Sequence, residues 1–190
     1  MRVELVQHTN NPVKLLTDIA SICYGKKEAK HPEKLLKHLV DSNHHSVLEH
    51  AFYTFKIEGI SRACLGQLTR HRHASYTVRS QRYCDESEQK IIIPESYDKM
   101  GFYPYDLLEE IYMYYNRLIR SGIKKEDARM ILPMATATDL YMSLNLRELI
   151  HIYKLRSHKS AQWEIRDLVN EMVKLVIEAN PELEFIFKEE

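Results

Sequence analysis

The segment from Arg70 to Arg82, RHRHASYTVRSQR, puts four arginines and two histidines into thirteen consecutive positions. No acidic residue lies between Gly59 and Cys84, so Arg62, Arg70, Arg72, Arg79 and Arg82 have no carboxylate close in sequence. A guanidinium is a planar fork that can donate two parallel hydrogen bonds to one phosphate, and it stays charged at neutral pH. The stretch is therefore suited to hold an anion. The competing reading is a solvated basic edge paired with acids far away in sequence, the common fate of surface charge. Composition leaves both open.

The five glycines, Gly25, Gly59, Gly66, Gly101 and Gly122, build neither a dinucleotide-binding G-x-G-x-x-G nor a P-loop. Any bound nucleotide must have its phosphates held by side chains. Ser75 and Ser80 lie near histidines, but no nucleophile elbow or ordered triad accompanies them. A serine among arginines reads as a phosphate hydrogen-bond donor.

His44, His45, Glu49 and His50 in NHHSVLEH, with His71 and His73, raise the question of a metal. Glu49 faces His45 at helical spacing, but the stretch runs into a strand and matches no zinc-protease pattern. Structural or ligand-contacting histidines are expected, and no metal. Cys23, Cys64 and Cys84 are odd in number and widely spaced, forming neither a zinc pattern nor a disulfide framework. They read as reduced and mostly buried thiols, with Cys84 a weak candidate for reactivity beside the basic stretch.

A second polar group, Asn145, Arg147, His151, Arg156 and Gln162, lies near the C-terminus. Arg147 and His151 share a helix face at i,i+4, while Arg156 projects elsewhere. Each has a plainer role available: Asn145 as a helix cap, Arg147 in an ion pair, Gln162 in the first turn of the last helix. Arg129, in ARMILP, reads equally as a surface residue, and Trp163 as core.

The chain around these residues is electrically balanced. Its 190 residues carry 27 basic and 27 acidic side chains, which argues against a general nucleic-acid binder. A hydrophobic fraction of 44% and a charged fraction of 28% fit a soluble globular protein. There is no apolar run of transmembrane length and no signal-peptide pattern behind Met1, so a cytoplasmic protein without membrane contact is expected. One domain over residues 1–190 is expected from the length.

The elements that must position the polar groups follow from periodicity. VELVQHT opens as a strand, and helices begin at Pro12 and in HPEKLLKHLVDSNH at Pro32. HAFYTFKIEG alternates as a strand closed by Gly59. Ser61 caps a helix over 61–72, on which Gln67, Arg70 and His71 share an arc of about 100° while Arg72 points away. YTVRSQRY is extended, and KIIIP is a short buried strand. Helices over 104–121 and 124–131, the strand TATDLYMSLN and a helix from Asn145 to Arg156 follow. Asn145 and Glu148 have capping-box spacing, and Ser160 caps the final helix. This is an α+β pattern, a small mostly antiparallel sheet surrounded by helices.

Arg70-His71-Arg72, seven residues, then Ser80 reproduces the R-H-R-x7-S signature of the flavin-dependent thymidylate synthases. RHRHASYTVRSQRY resembles the longer family pattern R-H-R-x-x-S-x-N-x-x-S-x-R-Y. HHSVLEHAFYTFKIEG, ARMILP and NLRELIHIYKLRSHKSAQWEI extend the resemblance in the family's order over most of the chain.

The resemblance implies a homotetramer with active sites shared between subunits, converting dUMP to dTMP. It implies bound FAD, methylenetetrahydrofolate as carbon donor, NADPH as reductant and no enzyme nucleophile. By position, Gln67, Arg70, Ser80, Gln81, Arg82, Arg129 and Arg156 would contact dUMP, with Val78 and Arg79 contributing through their backbones. Arg156 would act on the pyrimidine. Ser46, Glu49, Arg70, His71, Arg72, Asn145, Arg147 and His151 would face FAD, with Gln162 and Ser160 as weaker candidates. Thr77 stands where the family pattern has asparagine, Val78 where an acid is frequent, Ser46 for a common threonine and His151 for an asparagine. The C-terminal end is short against the family pattern, so contacts from a family tail are not expected.

Overall fold

In a computed structural model, which describes residues 1–188, four strands carry the alternation read from the sequence. They are β1 (Arg2–His8), β2 (Phe52–Ser61), β3 (Ala74–Val78) and β4 (Ala137–Asn145). They form one sheet in the order β1-β2-β4-β3, and each neighbouring pair is antiparallel. Tyr53, Phe55 and Ile57 of β2 and Leu140, Met142 and Leu144 of β4 turn to one face and are buried; Phe52 and Tyr141 turn to the other and are exposed. The period of two thus gives the sheet one apolar face.

Eight helices accompany the sheet among the described residues: α1 (Pro12–Ile22), α2 (Pro32–Asp41), α3 (Arg62–Leu68), α4 (Glu95–Met100), α5 (Tyr105–Arg120), α6 (Lys125–Ala128), α7 (Leu146–Arg156) and α8 (Trp163–Ala179). Short 3₁₀ segments occupy His45–His50, Arg129–Ile131 and Pro181–Phe187. On α8, Ile165, Leu168, Val169, Met172, Val173 and Val176 follow the i, i+3, i+4 spacing and join the core cluster with the sheet's apolar face. Buried Glu164, in the first turn of α8, accepts from the Ser61 backbone N–H at 2.6 Å and from its hydroxyl at 2.5 Å. Ser61 Oγ in turn caps α3 by accepting from Cys64 N at 2.9 Å.

Several expected elements differ. KIIIP forms an isolated bridge, Ile91 with Thr136, and not a strand, because Pro94 follows at once and α4 begins behind it. The helix expected over 61–72 ends at Leu68, and the reason is tertiary. The Tyr76 hydroxyl of β3 lies 2.8 Å from the Leu68 carbonyl and 2.9 Å from that of His71, so it satisfies carbonyls that a further turn would have used. β3 stops at Val78, and residues after it turn instead of extending. Gln162, and not Ser160, caps α8: its side-chain oxygen accepts from Glu164 N and Ile165 N at 3.1 and 3.2 Å, while Ser160 bonds His158. The helical segments 45–50, 95–100 and 181–187 are too short for a helical period to show in the sequence.

The antiparallel pairing gives the sheet two ends with different neighbours. At the first, β3 begins and β4 ends, since Ala74 pairs with Leu144 and Phe52 of β2 with Asn145. At the second, β3 ends against Leu140 and Ser61 pairs with Ala137. The four rises of about 3.4 Å from Ala74 to Val78 hold these ends roughly 14 Å apart.

Candidate functional site

The first end gathers residues from three segments. α7 starts as Asn145 Oδ1 accepts from Glu148 N at 2.9 Å, which satisfies an otherwise orphaned helix N–H. The Glu148 carboxylate does not complete the capping box. It turns inward, and its Oε1 lies 3.9 Å from Nδ1 of His71, with both side chains almost fully buried. On the other side of that ring, Arg156 Nε donates to His71 Nε2 at 3.1 Å. The His151 ring stands edge-on to His71 with centroids 6.1 Å apart. Burial, then Arg156, His151 and Arg70, push the His71 pKa down to about 4, so the imidazole is neutral at pH 7. Arg147 on the same helix reaches back to Glu49 at 2.5 Å and ties the 45–50 segment to α7.

Arg70 and Arg72 flank His71 and are exposed, with no side-chain ion pair among the described residues. The helical-wheel expectation is therefore corrected: past Leu68 the chain has left the helix, and His71 points in while Arg70 and Arg72 point out. Gln67 is half-buried on the last turn of α3, and Ser46 is exposed beside Glu49. Exposed arginines, a hydroxyl and an exposed imidazole at His151 form a donor set that fits a pyrophosphate-bearing cofactor without a glycine loop.

The second end gathers a different set. The Ser80 hydroxyl accepts from Arg82 N at 3.3 Å, and the Ser80 carbonyl accepts from Cys84 N at 2.9 Å, closing a tight turn that includes half-buried Gln81. Arg82 Nε donates to the Glu126 carboxylate at 3.0 Å, and Arg129 Nε donates to the Glu126 carbonyl at 3.1 Å. One residue thereby holds both cations. Arg79 donates from Nε to Oε1 of buried Glu86 at 3.1 Å, and its own carbonyl accepts from Arg62 at 3.0 Å. Val78 is the last β3 residue, half-buried against Leu140.

The basic stretch is thus neither one patch nor wholly unpaired. Glu86, seven positions on, occupies Arg79, acids distant in sequence occupy Arg82 and Arg147, and Arg70 and Arg72 stay open. Within one chain Arg70 precedes β3 and Arg82 follows it, so the strand stands between them. Asn145 and Gln162 spend their side-chain oxygens on helix caps. Glu148, Glu126 and Glu86 were not anticipated at the site; the proximity of Glu148 to His71 and of Glu126 to Arg82 exists in space alone, while Glu86 follows Arg79 by seven positions.

Ser80 has no histidine hydrogen-bonded to its hydroxyl among the described contacts. Cys64 is buried, and its thiol is pushed far up by burial and the nearby Glu164. Cys84 is half-buried and Cys23 exposed. Among the described residues no group of three or more His, Cys, Asp or Glu is placed to hold a metal ion. None of their helices is long and apolar enough to cross a membrane. Two open clefts lie elsewhere, one of about 710 Å³ bordered by Lys14, His31 and Lys34, the other of about 800 Å³ bordered by His45, Tyr153 and Phe185.

The protein is thus an α+β domain with separate arginine clusters at the two ends of a small antiparallel sheet. A family profile described as thymidylate synthase complementing protein matches residues 4–182. The flavin-dependent thymidylate synthase of Pyrococcus furiosus is 40% identical over 194 residues, covering 92% of this chain and 78% of that protein. That of Geobacter sulfurreducens is 38% identical, covering 93% and 82%. The chain belongs to the flavin-dependent thymidylate synthase family.

Solved structures share the fold. Thymidylate Synthase X from Helicobacter pylori, crystallised with FAD and dUMP, superposes with a TM-score of 0.82 at 23% identity over the whole of both chains. The UMP/dUMP methylase PolB from Streptomyces cacaoi, bound with 5-Br dUMP, gives 0.84 at 24% identity, covering 98% and 94%.

Proposed function

We propose that this chain methylates dUMP to dTMP reductively, with FAD as bound cofactor, methylenetetrahydrofolate as carbon donor and NADPH as reductant. The observation that carries the reading is the arrangement at the first end. Arg156 is oriented by the histidine of the Arg70-His71-Arg72 run, and two open arginines flank that histidine.

Methylation of C5 of a uracil needs electron density at that carbon. Arg156, set against the pyrimidine N3 and its neighbouring carbonyl, stabilises negative charge developing on the ring; one preorganised donor of this kind contributes about 3–4 kcal/mol. Ser80, Arg82 and Arg129 hold the phosphate, with Gln67, Arg70, Gln81 and the backbone of Val78 and Arg79 completing the nucleotide contacts. No enzyme nucleophile takes part. Ser46, Glu49, Arg70, Arg72, Arg147 and His151 hold FAD, with His71, Asn145 and Gln162 beside them. FAD, when bound, supplies the hydride chemistry.

The separation of Arg156 from Ser80 and Arg82 supports a homo-oligomer. The first end of one copy faces the second end of another, so a complete site takes residues from two chains, and we assign the assembly as a homotetramer in the cytoplasm. The chain forms a single domain over residues 1–190.

The test is NADPH oxidation by the purified yellow protein with and without dUMP, followed by product analysis once methylenetetrahydrofolate is added. Stimulation by dUMP and formation of dTMP are expected. Flavin-dependent NADPH oxidation that never yields dTMP overturns the reading.

A further inference from the structure

We infer that Glu148 is a positioning residue that sets the tautomer of His71 and through it the direction of the Arg156 guanidinium. The inference rests on the reading of Arg156 as a substrate contact.

An arginine Nε–H can only donate, so the 3.1 Å contact makes His71 Nε2 the acceptor. A neutral imidazole with a bare Nε2 carries its proton on Nδ1, and Nδ1 faces Glu148 Oε1. At 3.9 Å this is not a hydrogen bond. It is a carboxylate's field in a dry setting, and that field favours the tautomer with N–H directed at the carboxylate. His71 is otherwise immobilised: its N–H donates to the Leu68 carbonyl at 3.1 Å, and its carbonyl meets the Tyr76 hydroxyl at 2.9 Å. Ring position is thus set by β3 and α3, and the choice between the two nitrogens falls to Glu148.

The arrangement also explains the order of the three groups. Glu148 and Arg156 sit two helical turns apart on α7, and arginine side chains lean back toward the helix N-terminus, which brings Arg156 to the ring. A carboxylate bonded directly to Arg156 would offset the charge that the pyrimidine requires. An intervening neutral imidazole fixes Nε and leaves the guanidinium charge, with both terminal nitrogens open among the described contacts. The Glu148 cap role does not need its carboxylate, since Asn145 bonds the Glu148 backbone N–H.

The test compares Glu148→Leu, His71→Leu and His71→Gln in the FAD-loaded enzyme. Glutamine places an amide oxygen near the Nε2 position and has no ring tautomer to choose. Glu148→Leu and His71→Leu should each lower kcat per bound FAD about tenfold or more, the effect of a lost hydrogen bond to a charged group. His71→Gln should recover most of the loss, and adding Glu148→Leu to His71→Gln should change little. An equal loss of kcat per bound FAD from Glu148→Leu in both backgrounds overturns the inference. Near-normal turnover in Arg156→Ala overturns the underlying reading instead. Should Glu148→Leu fail to fold, ¹⁵N spectra of the wild-type histidines decide, with the His71 signal identified by its absence in His71→Gln. An Nδ1–H tautomer at pH 7 supports the inference and an Nε2–H tautomer sinks it.

Discussion

Arg79 donates from Nε to Oε1 of Glu86 at 3.1 Å, and Glu86 is wholly buried while Arg79 is about one-third exposed. The pair ties the turn that presents Ser80 to the residues after it. Glu86 N also lies 3.3 Å from the Tyr115 hydroxyl, so the contact reaches α5. Removing one member of a buried pair costs about 3–5 kcal/mol when the other stays dry. Arg79 can rehydrate, so Glu86→Ala should cost on the order of 2 kcal/mol, read as a lower urea midpoint at unchanged m-value. No drop in midpoint would show that the turn holds itself.

Glu126 bonds Arg82 through its carboxylate and Arg129 through its carbonyl. Glu126→Ala removes the first bond and keeps the second. Arg82 then samples more rotamers, and the expected result is roughly two- to tenfold weaker dUMP binding, the size of one hydrogen bond lost or misdirected. FAD content should stay at the wild-type level. Isothermal titration with dUMP measures this, and tighter binding would mean that Glu126 competes with the phosphate.

Arg156→Ala should retain FAD and lose dUMP-dependent turnover by about 10²–10³-fold, the effect of deleting a preorganised donor. Ser80→Ala should weaken dUMP binding by roughly tenfold or less and leave measurable dTMP formation. Complete loss of turnover at normal dUMP affinity in Ser80→Ala would reinstate a serine nucleophile.

Two inactive variants should rescue each other. If Arg156 and Arg82 meet only across a subunit boundary, mixing Arg156→Ala with Arg82→Ala subunits regenerates intact sites. Random exchange in equal amounts restores roughly a quarter of wild-type activity, since each intact site needs one unaltered residue from each of two copies. Activity no greater than the sum of the separate variants would place both residues in one chain's site.

Acid should destabilise the protein through His71. Its pKa is about 4 in the fold and near 6.5 unfolded. Between those values the unfolded chain binds a proton that the native state refuses, so stability falls as pH drops from about 6.5 to 4. The facing groups are Glu148, which favours the charged ring, and Arg156, His151 and Arg70, which oppose it with burial. The loss is at most roughly 3 kcal/mol. Urea midpoints between pH 7 and 4.5 should fall more steeply for wild type than for His71→Gln, and parallel curves would exclude His71 as the source.

Residue order alone settled the strongly periodic elements and the signature. Apolar alternation in β2 and β4 and the i, i+3, i+4 run of α8 are local patterns whose faces the core must cover, so they were readable without coordinates. The Pro12 and Pro32 starts and the Asn145 cap were equally local. The end of α3 was not, because it depends on a hydroxyl eight residues away, from Tyr76 to Leu68.

The arginine stretch shows the same division. Its charge, its lack of nearby acids and its R-H-R-x7-S spacing are properties of the chain. Which arginines stay free is decided by acids that folding brings in, Glu126 from 44 positions beyond Arg82 and Glu49 from 98 before Arg147. So is the meeting of Arg156 with His71 across 85 positions. An ion pair or a tautomer depends on separations of a few ångströms, which sequence distance does not encode. The length of β3 then carries the two parts of one continuous motif to opposite ends of a sheet.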